Sequence, residues 1–193
     1  PTGPAVASLR PQLDYSERRG SFVVGAYPDL VLHHLPPGIQ VFSNSYPDVR
    51  IQLLARPYTP LLRLVRSGEV DLAFCAPPPL DDQSLEFQEL FKFDVVLMTP
   101  LDHPLLKRTN VSLQDLAPWP MILPGPESLT RQKLGQELRV KGVSGDVVRS
   151  LDVTESIKRY VETGMGVAVC NDFTLHQQDH DRLGVVRLDH IFD

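Results

Sequence analysis

Cysteine is scarce in this chain, with two in 193 residues. Cys75 and Cys170 each end an apolar run, Leu72-Ala73-Phe74-Cys75 and Val167-Ala168-Val169-Cys170, which reads as two small buried residues in a reducing compartment. Nothing else in the sequence supports a disulfide or a redox pair. No apolar stretch is long enough to span a bilayer and no signal peptide is present. A basic run is also missing. With 19 basic against 24 acidic residues and a net charge of -5, the chain is a poor candidate for gripping nucleic acid by itself. The first residue is Pro1 rather than Met, which predicts a fragment or a processed product. No internal repeat is visible.

What is there is ordinary for a soluble domain: 42% hydrophobic and 22% charged residues. The length suffices for one sizeable core or two small lobes. Prolines number 18, and nine of them fall in short clusters (Pro36-Pro37, Pro77-Pro78-Pro79, Pro118 to Pro126), as rigid connections between short elements would require. Residues 1–19 lack an amphipathic period and read as a linker. The folded part is expected to begin with the strand Gly20–Gly25, followed by a helix over Leu35, Ile39, Phe42 and Tyr46 that starts at Pro36-Pro37. Val49, Ile51 and Leu53 alternate as a strand. Thr59 and Pro60 suit the N-cap and first position of a helix carrying Leu61, Leu64 and Val65 inward, with Gly68 as its stop. Val70–Phe74 is the next strand. Strand, helix, strand, helix, strand with short links predicts an α/β sheet with parallel crossovers. Further strands are expected at Phe93–Met98, Met121–Leu123, Val147-Val148 and Val185–Leu188, with a helix at Leu134 and Leu138.

The most informative stretch is Val153–Asn171, VTESIKRYVETGMGVAVCN. Thr154 suits a helix cap, Glu155 the first turn, Ile157 and Val161 one face, and Gly164 a left-handed stop. A buried strand then runs into Asn171-Asp172. A helix that starts at a polar loop and returns into a buried strand commonly walls a small-ligand cleft.

In order along the chain, Gly20…Val24-Gly25, Leu35-Pro36…Phe42…Tyr46-Pro47-Asp48-Val49, Leu64…Gly68-Glu69-Val70-Asp71-Leu72-Ala73, His103-Pro104-Leu105, Leu113…Asp115-Leu116-Ala117 and Val161…Gly164-Met165-Gly166-Val167-Ala168-Val169 resemble the effector-binding domain of LysR-type transcriptional regulators. Residues 152–161 most resemble the branch that includes the cysteine-regulon activators. The resemblance implies two Rossmann-like α/β lobes joined by two crossing strands, like type 2 periplasmic binding proteins. Lobe I would be residues 20–98 plus 171–193, lobe II residues 99–170, and residues 1–19 the remnant of a linker. It also implies a cytoplasmic regulator whose winged helix-turn-helix, absent from this chain, binds promoter DNA. A small-molecule co-inducer would sit in the inter-lobe cleft and change the geometry of a homodimer or homotetramer. The helices at Leu35–Tyr46 and Leu61–Arg66 would be the pairing faces. The family continues into a closing C-terminal helix, which is missing here.

Anions in such clefts are held by helix N-termini. The loops at Ala26–Asp29, Arg56–Thr59, Gly125–Thr130 and Asp152–Ser156 supply the candidates: Thr59, Ser128, Thr130, Thr154 and Ser156 as hydroxyl donors, with Tyr27 and Tyr58 as walls. Each Thr or Ser could instead only cap its own helix. Arg56 could fork onto a carboxylate or lie solvated at a strand end. Asp29 would repel an anion unless it turns away or binds an amine. The Thr- and Gln-rich loops of the cysteine-regulon branch are replaced by bulkier, charged residues, which argues against sulfate or acetylserine and opens an amphoteric or aromatic effector.

His176, Asp179 and His180 have metal-like spacing but no third ligand at a fixed offset, so a solvated loop is expected, with no metal and no cofactor. Trp119 reads as a packing anchor and Asp71 as a structural residue at a strand start. No nucleophile or Cys/His signature is present, so no enzyme is expected. A solute-binding protein of a transporter shares the fold and is the alternative.

Overall fold

The computed structural model describes residues 5–8, 20–77 and 84–191. The strands are β1 (Ala5–Ser8), β2 (Ser21–Ala26), β3 (Arg50–Ala55), β4 (Leu72–Cys75), β5 (Glu86–Glu89), β6 (Val95–Thr99), β7 (Met121–Leu123), β8 (Val147–Ser150), β9 (Ala168–Asn171) and β10 (Gly184–Arg187). The helices are α1 (Leu35–Ser45), α2 (Tyr58–Ser67), α3 (Leu113–Leu116), α4 (Leu129–Val140) and α5 (Thr154–Glu162). The chain divides into two compact units, Pro1–Lys92 and Phe93–Asp193.

In the first unit the sheet order is β3-β2-β4-β1-β5. β2 pairs in parallel with β3 on one side and β4 on the other. Asp71 joins β2 to β4: its N–H donates to Val23 O at 2.9 Å, and its Oδ2 accepts from Val23 N–H at 2.8 Å. That is the structural role expected of it. Leu61, Leu62 and Val65 of α2 are buried, and the helix stops at Gly68 with φ 78°. A Cβ on Gly25 would run into Leu61 and Val70, so a glycine in β2 lets α2 lie close to the sheet. Cys75 is a buried free thiol, and burial pushes its pKa up to about 12. α1 buries none of its residues fully.

The second unit is built around β6, five residues that are all buried. The strand pairs antiparallel with β9 and β10, and its apolar run is unbroken because helices cover both of its faces. Val95 and Leu97 pack with Leu116, Leu134 and Leu138, whereas Val96 and Met98 pack with Ile157 and Val161. The period-two alternation of the strand thus separates a core under α3 and α4 from one under α5. Cys170 is a buried thiol, outside any disulfide, in the second core. β7 pairs in parallel with β8, and the bridge Met121–Val167 ties it to the start of β9. Trp119 packs against the first core, edge-on to His103 at 4.2 Å between ring centroids, as an anchor.

The β10-β6-β9 sheet lies within the second unit, whereas the expected lobe division assigned most of β6 and all of β10 to lobe I and most of β9 to lobe II. Three expectations change. The linker assigned to residues 1–19 contains β1, which pairs with β4 and β5. α1 is preceded by a π-helical turn at Leu30–His34, so the helical region starts before Pro36. Thr59 and Thr154 are not N-caps. Those positions belong to Pro57 and Val153, whose carbonyls accept from Leu61 and Ile157 at 3.1 and 3.2 Å.

The stop after α5 is a Schellman closure: Gly164, at φ 79°, donates to Val161 O at 2.9 Å, and Met165 donates to Tyr160 O at 3.2 Å. Gly166, at φ 155°, then passes so close to the Pro120 carbonyl that a Cβ there would collide with backbone. Gly166→Ala is expected to cost about 1–3 kcal/mol, read as a lower midpoint in urea at an unchanged slope.

Candidate functional site

Ligands of open α/β sheets sit outside the carboxyl ends of the strands, where the strand order reverses. Each unit has such a point. In the first, β2 lies between β3 and β4. Its exits carry Tyr27 and Asp29 after β2, and Arg56, Tyr58 and Thr59 after β3. Tyr27 Oη accepts from Ala76 N–H at 3.0 Å and Tyr58 Oη donates to Pro77 O at 2.9 Å, so both rings are fixed to the segment leaving β4. Burial, with Cys75 nearby, raises the Tyr27 pKa well above the usual phenol range, keeping the hydroxyl neutral. The two tyrosines therefore act as fixed walls. Arg56 is exposed, and its guanidinium donates to Ala55 O at 2.8 Å. Asp29 is half-buried at the start of the π-helical turn, and Thr59 is exposed as the second residue of α2.

In the second unit β7 takes the central place, with β8 on one side and the start of β9 on the other. Thr130, in the first turn of α4, lies 3.1 Å through its Oγ1 from Asn171 Oδ1 at the end of β9. Arg131 and Ser150 both donate to Pro124 O, at 3.1 and 3.4 Å, pinning the loop after β7. Asp152 Oδ1 lies 2.7 Å from where a Cβ on Gly125 would stand, so a glycine is needed at 125 for that carboxylate to lie over the loop. Ser128 occupies the N-cap of α4 without a side-chain capping bond. Thr154 and Ser156 are the first and third residues of α5.

Thr59 and Thr154 stand inside their helices rather than at the N-cap, and Ser128 holds the N-cap of α4 without a side-chain capping bond. α2, α4 and α5 all start without a side-chain cap, whereas α3 carries a full box in which Ser112 and Asp115 satisfy each other's backbone N–H. Asn171, Arg131 and Asp152 were not among the predicted site residues. Their signal was the polar break after each apolar strand.

A match to the LysR substrate binding domain extends over residues 16–191. The chain belongs to that family. Over 180 residues this LysR domain is 28% identical to the HTH-type transcriptional regulator CysB of Burkholderia cenocepacia, covering 93% of the chain and 58% of the relative. It spans little more than half the length of that regulator. The cofactor-binding domain of the Cbl transcriptional regulator superposes with a TM-score of 0.75 at 25% identity, over 95% of this chain and 81% of that one. Both likenesses agree with the cysteine-regulon branch. The regulatory domain of CcmR from Synechocystis PCC6803, solved in complex with 2-PG, gives a TM-score of 0.77 at 22% identity, over 88% and 80% of the two chains, and shares the fold.

Among the described residues of the LysR domain, a buried ion network lies behind the start of α5. Lys158 and Asp179 have side chains only 3% and 1% exposed, with Nζ 2.7 Å from Oδ2. The metal-like His176–Asp179–His180 pattern is thus partly spent on this pair: Asp179 also accepts from His176 N–H at 2.9 Å and from Arg182 at 2.7 Å. Burial alone would raise the Asp179 pKa, but the bonds from Lys158 and His176 outweigh it and hold the carboxyl below its usual range. Burial alone would lower Lys158, but the bonds from Asp179 and Glu155 prevail and raise it.

Removing one partner strands a buried charge, so Lys158→Met or Asp179→Asn alone is expected to cost about 3–5 kcal/mol. The double variant should recover most of that loss, because Glu155 and Arg182, at 41% and 42% exposed, remain solvated. The sign with pH follows from linkage. The depressed Asp179 stabilises above the ordinary value of 3.8 and loses this as pH falls through its folded pKa. The raised Lys158 stabilises below 10.5 and loses this as pH climbs through its folded pKa. Urea titrations should show a constant penalty for the single variants near neutrality that shrinks on the acid side.

Proposed function

We propose that this domain is the ligand-sensing part of a cytoplasmic LysR-type transcriptional regulator, and that it binds a small-molecule effector at the carboxyl-edge loops. What supports the reading is that the starts of α2, α4 and α5 follow parallel-strand exits and carry the polar side chains Thr59, Thr130, Thr154 and Ser156 in their first turns. Unpaired N–H groups at a helix start favour an anionic group on the ligand. Asp152, whose carboxylate lies over the Gly125 loop, disfavours a second anion there, so the effector class is a small metabolite with one acidic group plus hydroxyl or ammonium groups. Lobes of the family's two-lobed plan would shift their balance on binding, because a ligand moves an equilibrium only by its differential affinity. The CysB relative is a transcriptional regulator, which supports regulation over transport or catalysis. Promoter DNA would be bound by a winged helix-turn-helix elsewhere in the full protein.

The same regulator would act as a homodimer or homotetramer. Of the two helices expected to pair, α2 spends Leu61, Leu62 and Val65 on its own core. α1 is the better face: Val41 is 66% exposed, and Leu32 and Tyr46 are also open. Val41→Glu is expected to shift the chain toward monomer in sedimentation velocity without lowering its melting temperature. An unchanged distribution would remove α1 from the interface.

Thermal shift against sulfate, acetylserine, hydroxy acids, aromatic acids, amino acids and sugar phosphates tests the effector reading, since ligand binding raises the melting temperature by mass action. One chemical class should stabilise the chain. Thr130→Ala and Thr154→Ala should each weaken that binding by about tenfold, the value of one lost hydrogen bond of about 1.4 kcal/mol. Equal shifts in wild type and both variants would contradict the site.

A further inference from the structure

We infer that Lys158 and Asp179 form a positioning clamp that makes the start of α5 and the segment leaving β9 move as one body. Lys158 is the fifth residue of α5, one turn beyond Thr154. Its Nζ is bonded to Asp179 at 2.7 Å and to Glu155 at 2.7 Å, so two fixed partners set its direction. Asp179 is anchored in turn. Its Oδ2 accepts from His176 N–H at 2.9 Å, and its Oδ1 accepts from Arg182 at 2.7 Å. From there short bonds lead back to the end of β9: Leu175 N–H donates to Asp172 O at 2.9 Å and Thr174 Oγ1 to Asn171 O at 2.7 Å. Asn171 is the residue that Thr130 meets. Hydrogen bonds and the intervening backbone therefore connect Glu155 and Lys158 of α5 with Asn171, across the 21 positions that separate Lys158 from Asp179.

Stability alone does not require this. An apolar pair of similar volume would fill the space at less desolvation cost, whereas a charge pair with several bonds fixes orientation. Lys158 also neutralises Glu155, the acidic residue in the first turn of α5, where a free carboxylate would oppose an incoming anion. The functional importance of the clamp rests on the effector reading above, but the clamp can be tested without any ligand.

The experiment is hydrogen exchange by mass spectrometry on wild type and Lys158→Met/Asp179→Asn, with the melting temperature measured alongside. The amides of residues 154–158 and 172–177 should exchange at least about tenfold faster, both together, while those of β6 and β7 keep their rates. Wild-type rates in both segments, or acceleration in one alone, would overturn the clamp. Asp179→Glu, which keeps the charge but moves it by one methylene, should accelerate both segments to a smaller degree, and it serves if the double variant does not fold. A wild-type chain that no panel compound stabilises would count against the effector reading, and the exchange result would still decide the clamp.

Discussion

A parallel strand hydrogen-bonded on both sides sets the terms for each unit. β2 between β3 and β4, and β7 between β8 and the start of β9, force three strand ends to the same edge. Parallel pairing leaves no hairpin option, so every return must be a crossover, and each following helix starts at that edge. The loops Ala26–Asp29, Arg56–Tyr58, Pro124–Ser128 and Leu151–Val153 are there because the strands are parallel. Their polarity follows from the unpaired backbone groups that strand ends and helix starts leave there.

What differs from an ordinary structural edge is how those groups are treated. α3 shows that this chain can close a helix start completely, with Ser112 and Asp115. At α2 and α5 the N-cap positions hold Pro57 and Val153, which have no side-chain acceptor, and the hydroxyls sit one or two places inside. Around these starts the scaffold is stiff. Tyrosine hydroxyls are pinned to the backbone after β4, two donors hold the Pro124 carbonyl, and a buried ion pair backs α5. Fixed walls around a site favour binding, because little ordering remains to oppose it.

Most of the fold was legible from local pattern. Gly68 and Gly164 stop their helices at positive φ as their positions foretold, and Val49, Ile51 and Leu53 alternate into β3. The misplaced features depend on partners far along the chain. The apolar run of β6 does not say that its neighbours are β9 and β10. Thr59 and Thr154 look like caps because Thr suits that position, but the chain turns one or two residues earlier. Lys158 had a faint signal: it follows Ile157 and precedes Val161 by three, on the flank of the apolar stripe. Nothing local pointed to Asp179 as its partner. The contacts of Asn171 with Thr130 and of Asp152 with the Gly125 loop join residues distant in sequence, so the polar break after each strand marks these residues but not their neighbours.

The central claim is that the effector is held at the carboxyl edges of the parallel strands. The most direct test is backbone amide chemical-shift mapping of the labelled chain, titrated with whichever panel compound stabilises it. The account predicts that the saturable shifts concentrate in residues 26–29, 56–59, 76–77, 124–131, 151–156 and 171–172. Shifts confined to α1 or β5, with these loops silent, would contradict it.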